Sequence, residues 1–174
     1  MRKTLIVGSG GREHALAWKL AQESEVHAIP GNPGIEEIGE CHPGSAEDLD
    51  AVEALARRLK PDLAVVGPEN PLIAGLATRL QHVGVPCFGP GPAEAMLEGS
   101  KAFAKTLMKE AGVPTPFGCA CETPEEAMEA VRTLSQRGKL PVVKASGAAL
   151  GKGVIVCDDE SQAADAIRRA MVDL

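Results

Sequence analysis

Over the first ninety residues, short apolar runs alternate with amphipathic stretches, and each run stops at a turn rich in glycine or proline. Thr4-Leu5-Ile6-Val7 ends at Gly8-Ser9-Gly10-Gly11, and residues 25–29 end at Pro30-Gly31-Asn32-Pro33-Gly34. Residues 62–66 end at Gly67-Pro68-Glu69-Asn70-Pro71, and residues 85–88 at Gly89-Pro90-Gly91-Pro92. The stretches between them carry helical spacing. Ala15, Leu16, Trp18 and Leu20 recur on turns, Leu49, Val52, Leu55, Ala56 and Leu59 share a face of residues 47–59, and residues 72–82 read as a third helix. Strands that alternate with helices pair in parallel, with helices covering both faces of the sheet. The expected class is therefore α/β, with a Rossmann-like parallel-sheet domain over residues 1–92.

After Gly89-Pro90-Gly91-Pro92 the pattern changes, which marks the expected domain boundary. Residues 93–97 and 100–111 read as helices. Thr123, Pro124 and Glu126 form a helix start, with a hydroxyl cap, proline at the first position and glutamate at the third. Residues 140–145 and 154–157 read as strands around a glycine-rich loop, and residues 160–171 as a last helix. Residues 93–174 are expected to hold linker helices and an incomplete α+β subdomain.

The charge balance is −6, from 18 Lys and Arg against 24 Asp and Glu, which argues against a nucleic-acid binder or a polybasic membrane binder. No run approaches the ~20 apolar residues of a membrane span. Cys41, Cys87, Cys119, Cys121 and Cys157 are scattered, with no C-x-x-C pair, and Cys41-His42 has no second pair at zinc-ligand spacing. They read as idle thiols in a reducing cytoplasm, and no metal ligand is assigned within the chain.

Three segments carry candidate chemistry. Gly8-Ser9-Gly10-Gly11-Arg12-Glu13-His14 follows the first strand and opens a helix, where free N–H groups suit an anion and Arg12 adds a planar donor fork. A plain tight turn is the alternative. A dinucleotide site is disfavoured, because residues 27–31 lack the ribose-binding acid and the third glycine of the fingerprint is missing. Gly67, Pro68, Glu69 and Asn70 end another strand at the same sheet edge, where they either meet a polar substrate or simply stiffen a helix start. In Val143-Lys144-Ala145-Ser146-Gly147-Ala148-Ala149-Leu150-Gly151-Lys152-Gly153, three residues separate Gly147 from Gly151 and glycine follows the lysine, so this is not a P-loop. It is either a phosphate lid or an ordinary hairpin.

These segments, with Leu97-Glu98-Gly99-Ser100-Lys101-x-Phe103-x-Lys105 and Pro68-Glu69-x-Pro71-Leu72, together resemble the glycinamide ribonucleotide synthetase family of the ATP-grasp superfamily. The resemblance implies ligation of glycine to 5-phosphoribosylamine in purine biosynthesis, with ATP and Mg²⁺, through a glycyl phosphate. It implies that Gly8, Ser9, Gly10, Gly11, Arg12 and Glu13 hold the phosphoribosylamine, with Gly67, Pro68, Glu69 and Asn70 bordering the same pocket. By the same resemblance Lys105 and Lys144 contact ATP phosphates, and Ser146, Gly147, Gly151, Lys152 and Gly153 belong to the lid. Ser146 departs from the family's usual Asp, and Ala148-Ala149-Leu150 from its usual Leu-Ala-Ala. Members are longer than this chain, so it is expected to be an amino-terminal portion, inactive alone, with catalytic residues and magnesium ligands beyond residue 174. The competing expectations are another ATP-grasp carboxylate–amine ligase and a noncatalytic phosphate- or nucleotide-binding module.

Overall fold

A computed structural model describes residues 2–146 and 153–172. The expected lid residues Gly147, Gly151 and Lys152 lie outside the described residues. The chain divides into two compact units, Met1–Met96 and Leu97–Leu174. The division falls within helix α6 (Pro92–Gly99).

In the first unit, β1 (Arg2–Gly8), β2 (Ser24–Pro30), β3 (Glu40–Cys41), β4 (Leu63–Val66) and β5 (Cys87–Phe88) form one sheet in the order β3-β2-β1-β4-β5. All neighbours pair in parallel. Side-chain alternation along the strands gives the sheet two apolar faces. Leu5, Val7, Ile29, Ala64 and Val66 pack with Val52, Leu55 and Ala56 of α3 (Leu49–Leu59) and Leu76, Ala77 and Leu80 of α5 (Leu76–His82). Ile6, Val26, Ala28 and Val65 face the other way, against Ala17 of α1 (Gly11–Leu20) and Ile35 of α2 (Pro33–Glu36). Leu5, Ile6 and Val7 are all fully buried, and each contributes about 1.5–3 kcal/mol by leaving water. The expected α/β architecture is present.

Three local expectations are corrected. Trp18 is 60% exposed; Glu13 and Ala17, four residues apart, are the buried positions of α1. The single helix expected over residues 72–82 is two, α4 (Glu69–Ile73) and α5, because Gly75 takes a left-handed φ of 95° between them. The turn cluster after β2 contains α2, capped by Asn32, and leads into β3, whose two residues carry no apolar run to reveal them.

The second unit contains α7 (Lys101–Glu110), α8 (Pro124–Gln136), α9 (Glu160–Met171) and an antiparallel hairpin of β6 (Val142–Lys144) with β7 (Val154–Val156). Thr123 caps α8 as expected, its hydroxyl accepting from the Glu126 N–H at 3.2 Å. Val143 and Ile155 turn toward a small core of Val131, Cys157, Ala163, Ala166 and Ile167. Val142, Val154 and Val156, on the other face of the hairpin, are exposed. No helix among the described residues is long and apolar enough to cross a membrane.

Candidate functional site

Because β1 lies between β2 and β4, the loops that follow these three strands leave the same sheet edge side by side. The Gly67 N–H donates to the Val7 carbonyl at 3.0 Å, and the Gly31 N–H to the Gly8 carbonyl at 3.2 Å. In an open parallel sheet this carboxyl edge is where ligands sit. Gly8 turns the chain out of β1 with φ of 126°. A Cβ there would stand 2.8 Å from Glu13 Cγ and 2.9 Å from Pro68 Cδ, so only glycine lets the two loops close on each other.

Glu13 is what they close on. Its carboxylate is buried; Oε2 accepts from the Gly10 N–H at 2.6 Å and Oε1 accepts from Arg12 Nε at 3.0 Å. A Cβ on Gly67 would overlap the same carboxylate and stand 2.6 Å from Glu13 Cγ. One buried side chain therefore folds the first loop and seats it against the second. Its negative charge lies in the first turn of α1, where the helix dipole favours it. Gly10, at the N-cap of α1, offers no side chain to the first-turn N–H groups, so these remain for an anion. Beside Gly11 there is open space.

A cleft of about 350 Å³ opens here, lined by Gly8, Ser9, Gly10, Glu13, Pro30, Ser45, Ala46, Glu47 and Pro68. Of the residues expected from sequence, Gly8, Ser9, Gly10, Glu13 and Pro68 line it. Gly11, Arg12, Gly67, Glu69 and Asn70 are not among its lining residues, although Arg12 is held by Glu13 and Asn70 Nδ2 donates to Glu47 Oε1 at 2.9 Å. Sequence reasoning missed Ser45, Ala46 and Glu47, which precede α3 in a polar stretch without a motif. It also missed Asn32, whose Nδ2 donates to the Ser9 carbonyl at 2.9 Å while Oδ1 accepts from the Ile35 N–H at 3.0 Å. The signal for Asn32 was its place before Pro33, an N-cap followed by proline.

In the second unit, Lys105 Nζ donates to Thr115 Oγ1 at 2.7 Å and to the Pro116 carbonyl. Lys144 is exposed at the end of β6, on the same hairpin face as Val142. Ser146 joins the hairpin to α7: its Oγ accepts from the Ala102 N–H at 3.2 Å and its carbonyl from the Lys101 N–H at 3.3 Å. Ser100 caps the same helix by accepting from the Phe103 N–H at 3.2 Å. The Gly153 carbonyl accepts from the Ala145 N–H at 2.8 Å, one bond beyond the β6–β7 pairing.

With this geometry in place, known proteins are informative. Residues 2–98 match the family model "Phosphoribosylglycinamide synthetase, N domain", and residues 99–174 match the ATP-grasp (A) domain of the same family. The chain belongs to the phosphoribosylglycinamide synthetase family. Within it, the phosphoribosylamine–glycine ligase of Streptomyces coelicolor is 48% identical across 98% of this chain and 42% of its own length. The solved phosphoribosylamine–glycine ligase of Thermotoga maritima superposes with a TM-score of 0.74 at 34% identity, covering 94% of this chain and 38% of the other. N5-carboxyaminoimidazole ribonucleotide synthetase from Thermus thermophilus shares the fold, with a TM-score of 0.68 at 24% identity over 96% of this chain and 44% of the other. The chain thus spans about two-fifths of the length of the family relatives it matches.

Proposed function

We propose that the first unit holds the 5-phosphoribosylamine, and the second unit part of the ATP site, of a cytoplasmic ligase that joins glycine to that amine in purine biosynthesis. The observation that carries this reading is the cleft at the uncapped start of α1, preorganised by Glu13. There the Gly11 and Arg12 N–H groups meet the phosphate, while the Arg12 guanidinium, steadied by Glu13, supplies a planar donor fork. Glu13 serves as the organiser of the turn, since both its oxygens are already engaged within the loop. Ser9 and the Asn70–Glu47 pair stand at the polar edge of the cleft, suited to sugar hydroxyls.

ATP supplies the activating phosphoryl group when bound. The residues present suit it: the open hairpin face offers Val142, Val154 and Val156 for an apolar ring, and Lys144 and Lys105 offer charge for phosphates. Ser146 and Gly153 anchor the two ends of the loop proposed to cover those phosphates. Magnesium does not fit the described residues in the same way. Among them, the only set of three convergent His, Cys, Asp or Glu ligand atoms includes two imidazoles and lies in the first unit, whereas magnesium takes oxygen ligands.

Isothermal titration with ribose 5-phosphate tests the reading. It should show one site, weakened about tenfold or more by Arg12→Ala, since a charge-assisted hydrogen bond is worth roughly 1.5–3 kcal/mol. Tight NAD binding with no response to the sugar phosphate would overturn it.

A further inference from the structure

A second cluster sits where β2 pairs with the outermost strand β3, and the proposed ligase reading uses none of it. Parallel pairing sets His27 opposite Glu40 and Ala28 opposite Cys41. Alternation then sends Glu25 and His27 of β2, with Glu40 and His42 of the β3 edge, to one face. His27 Nδ1 and His42 Nε2 stand 3.1 Å apart, and His27 Nδ1 is 3.5 Å from Glu40 Oε2. One ligand atom from each of His27, Glu40 and His42 falls within 4.8 Å of the others. Both imidazoles are buried, whereas Glu40 is 66% exposed and opens the cluster to water.

We propose that His27 Nδ1, His42 Nε2 and a Glu40 carboxylate oxygen form a three-ligand site for a divalent transition metal of the zinc type, with water in the fourth position.

The distances support this. Zinc–ligand bonds of about 2.0–2.1 Å at tetrahedral angles place ligand atoms roughly 3.3–3.4 Å apart. The His27–His42 and His27–Glu40 edges, at 3.1 and 3.5 Å, bracket that spacing, and the His42–Glu40 edge, within 4.8 Å, can close by movement of the exposed Glu40 side chain. A metal-bound histidine usually donates its other N–H to a carboxylate, which fixes the tautomer. His27 has this partner: its Nε2 lies 3.2 Å from Glu25 Oε1, which leaves the Nδ1 lone pair directed at the cluster. His42 then needs only to carry its proton on Nδ1, 3.7 Å from Glu40 Oε1, to offer Nε2 to the metal. Glu25 and Glu40 balance the dication, against the nearby positive charge of Arg58 on α3. The ion would fasten the two-residue strand β3 to the rest of the sheet.

The test uses the chain after removal of metal by a chelator, titrated with Co²⁺ and then Zn²⁺. Visible ligand-field bands should saturate at one equivalent without near-ultraviolet thiolate bands, and Zn²⁺ should abolish them and raise Tm. Glu40→Gln, an exposed change that leaves the core intact, should weaken binding at least tenfold, as should His42→Gln. Glu25→Gln should weaken it about tenfold through the histidine it orients. The competing thiols are Cys119 and Cys121, whose Sγ atoms lie 3.8 Å apart, although burial and Cys119 push the Cys121 pKa up to about 11. A Cys119→Ser, Cys121→Ser chain should bind as before. Thiolate bands, loss of binding in that double variant, unchanged affinity in Glu40→Gln and His42→Gln, or no binding at all would each overturn the proposal.

Discussion

The first unit buries both faces of its sheet; the second buries one. In the first, β1 and β4 are sandwiched between two apolar layers, and even the buried Glu13 in the first turn of α1 finds partners for both oxygens. In the second, Val143 and Ile155 are covered by α8 and α9, while Val142, Val154 and Val156 on the opposite side of the same hairpin remain exposed. A half-covered sheet has lower resistance to local opening, because less apolar surface must be returned to water. The difference teaches where preorganisation resides: the proposed sugar-phosphate site is finished within its own unit, whereas the proposed nucleotide site presents an open face.

The largest expected effect is in amide hydrogen exchange. Residues of β4, Leu63–Val66, should exchange only through global opening, while Val142–Lys144 and Val154–Val156 should exchange faster by about two orders of magnitude or more, the equivalent of roughly 3 kcal/mol. Equal protection of the two sets would break the contrast.

Next in size is Gly67→Ala. Its Cβ would collide with the buried Glu13 carboxylate, at a cost of about 1–3 kcal/mol in thermal or denaturant unfolding. In a Glu13→Ala background the same change should cost much less, since the colliding group is gone and the sites are directly coupled. Additive costs would mean that Glu13 does not wedge the two loops together.

The smallest effect is electrostatic. Hydrogen bonds from Arg79 and then Arg57 hold the Glu53 carboxyl below its ordinary value of 4.5, tying α3 to α5. A carboxyl lowered by folding stabilises above its unfolded pKa, and that contribution disappears as pH falls through the folded value. The Tm difference between the parent chain and Glu53→Gln should therefore be small at neutral pH and shrink below about pH 4. A difference that grows on acidification would reverse the sign.

Much of this contrast was legible in the residues, for reasons that also explain the gaps. The glycine turns at Gly8 and Gly67, the parallel sheet and the cap at Thr123 follow from local rules of spacing and turn chemistry. The wedge at Glu13 does not, because its partner Gly67 is distant in sequence and only strand order brings them together. Trp18 misled for a local reason: it recurs with Ala15, Leu16 and Leu20 on the helical spacing, yet α1 turns Ala17 inward and leaves Trp18 in water. His27, Glu40 and His42 carry no ligand spacing along the chain, and it is the pairing of β2 with β3 that makes them neighbours.

The most direct measurement is a backbone-amide NMR titration with ribose 5-phosphate. Shifts should concentrate at Gly8, Ser9, Gly10, Gly11, Arg12 and Glu13, with smaller ones at Gly67 and at Ser45, Ala46 and Glu47. Residues from Leu97 onward should stay unmoved. Shifts gathered in the second unit, or none at the Gly10–Arg12 turn at saturating ligand, would contradict a self-contained phosphate site at the start of α1.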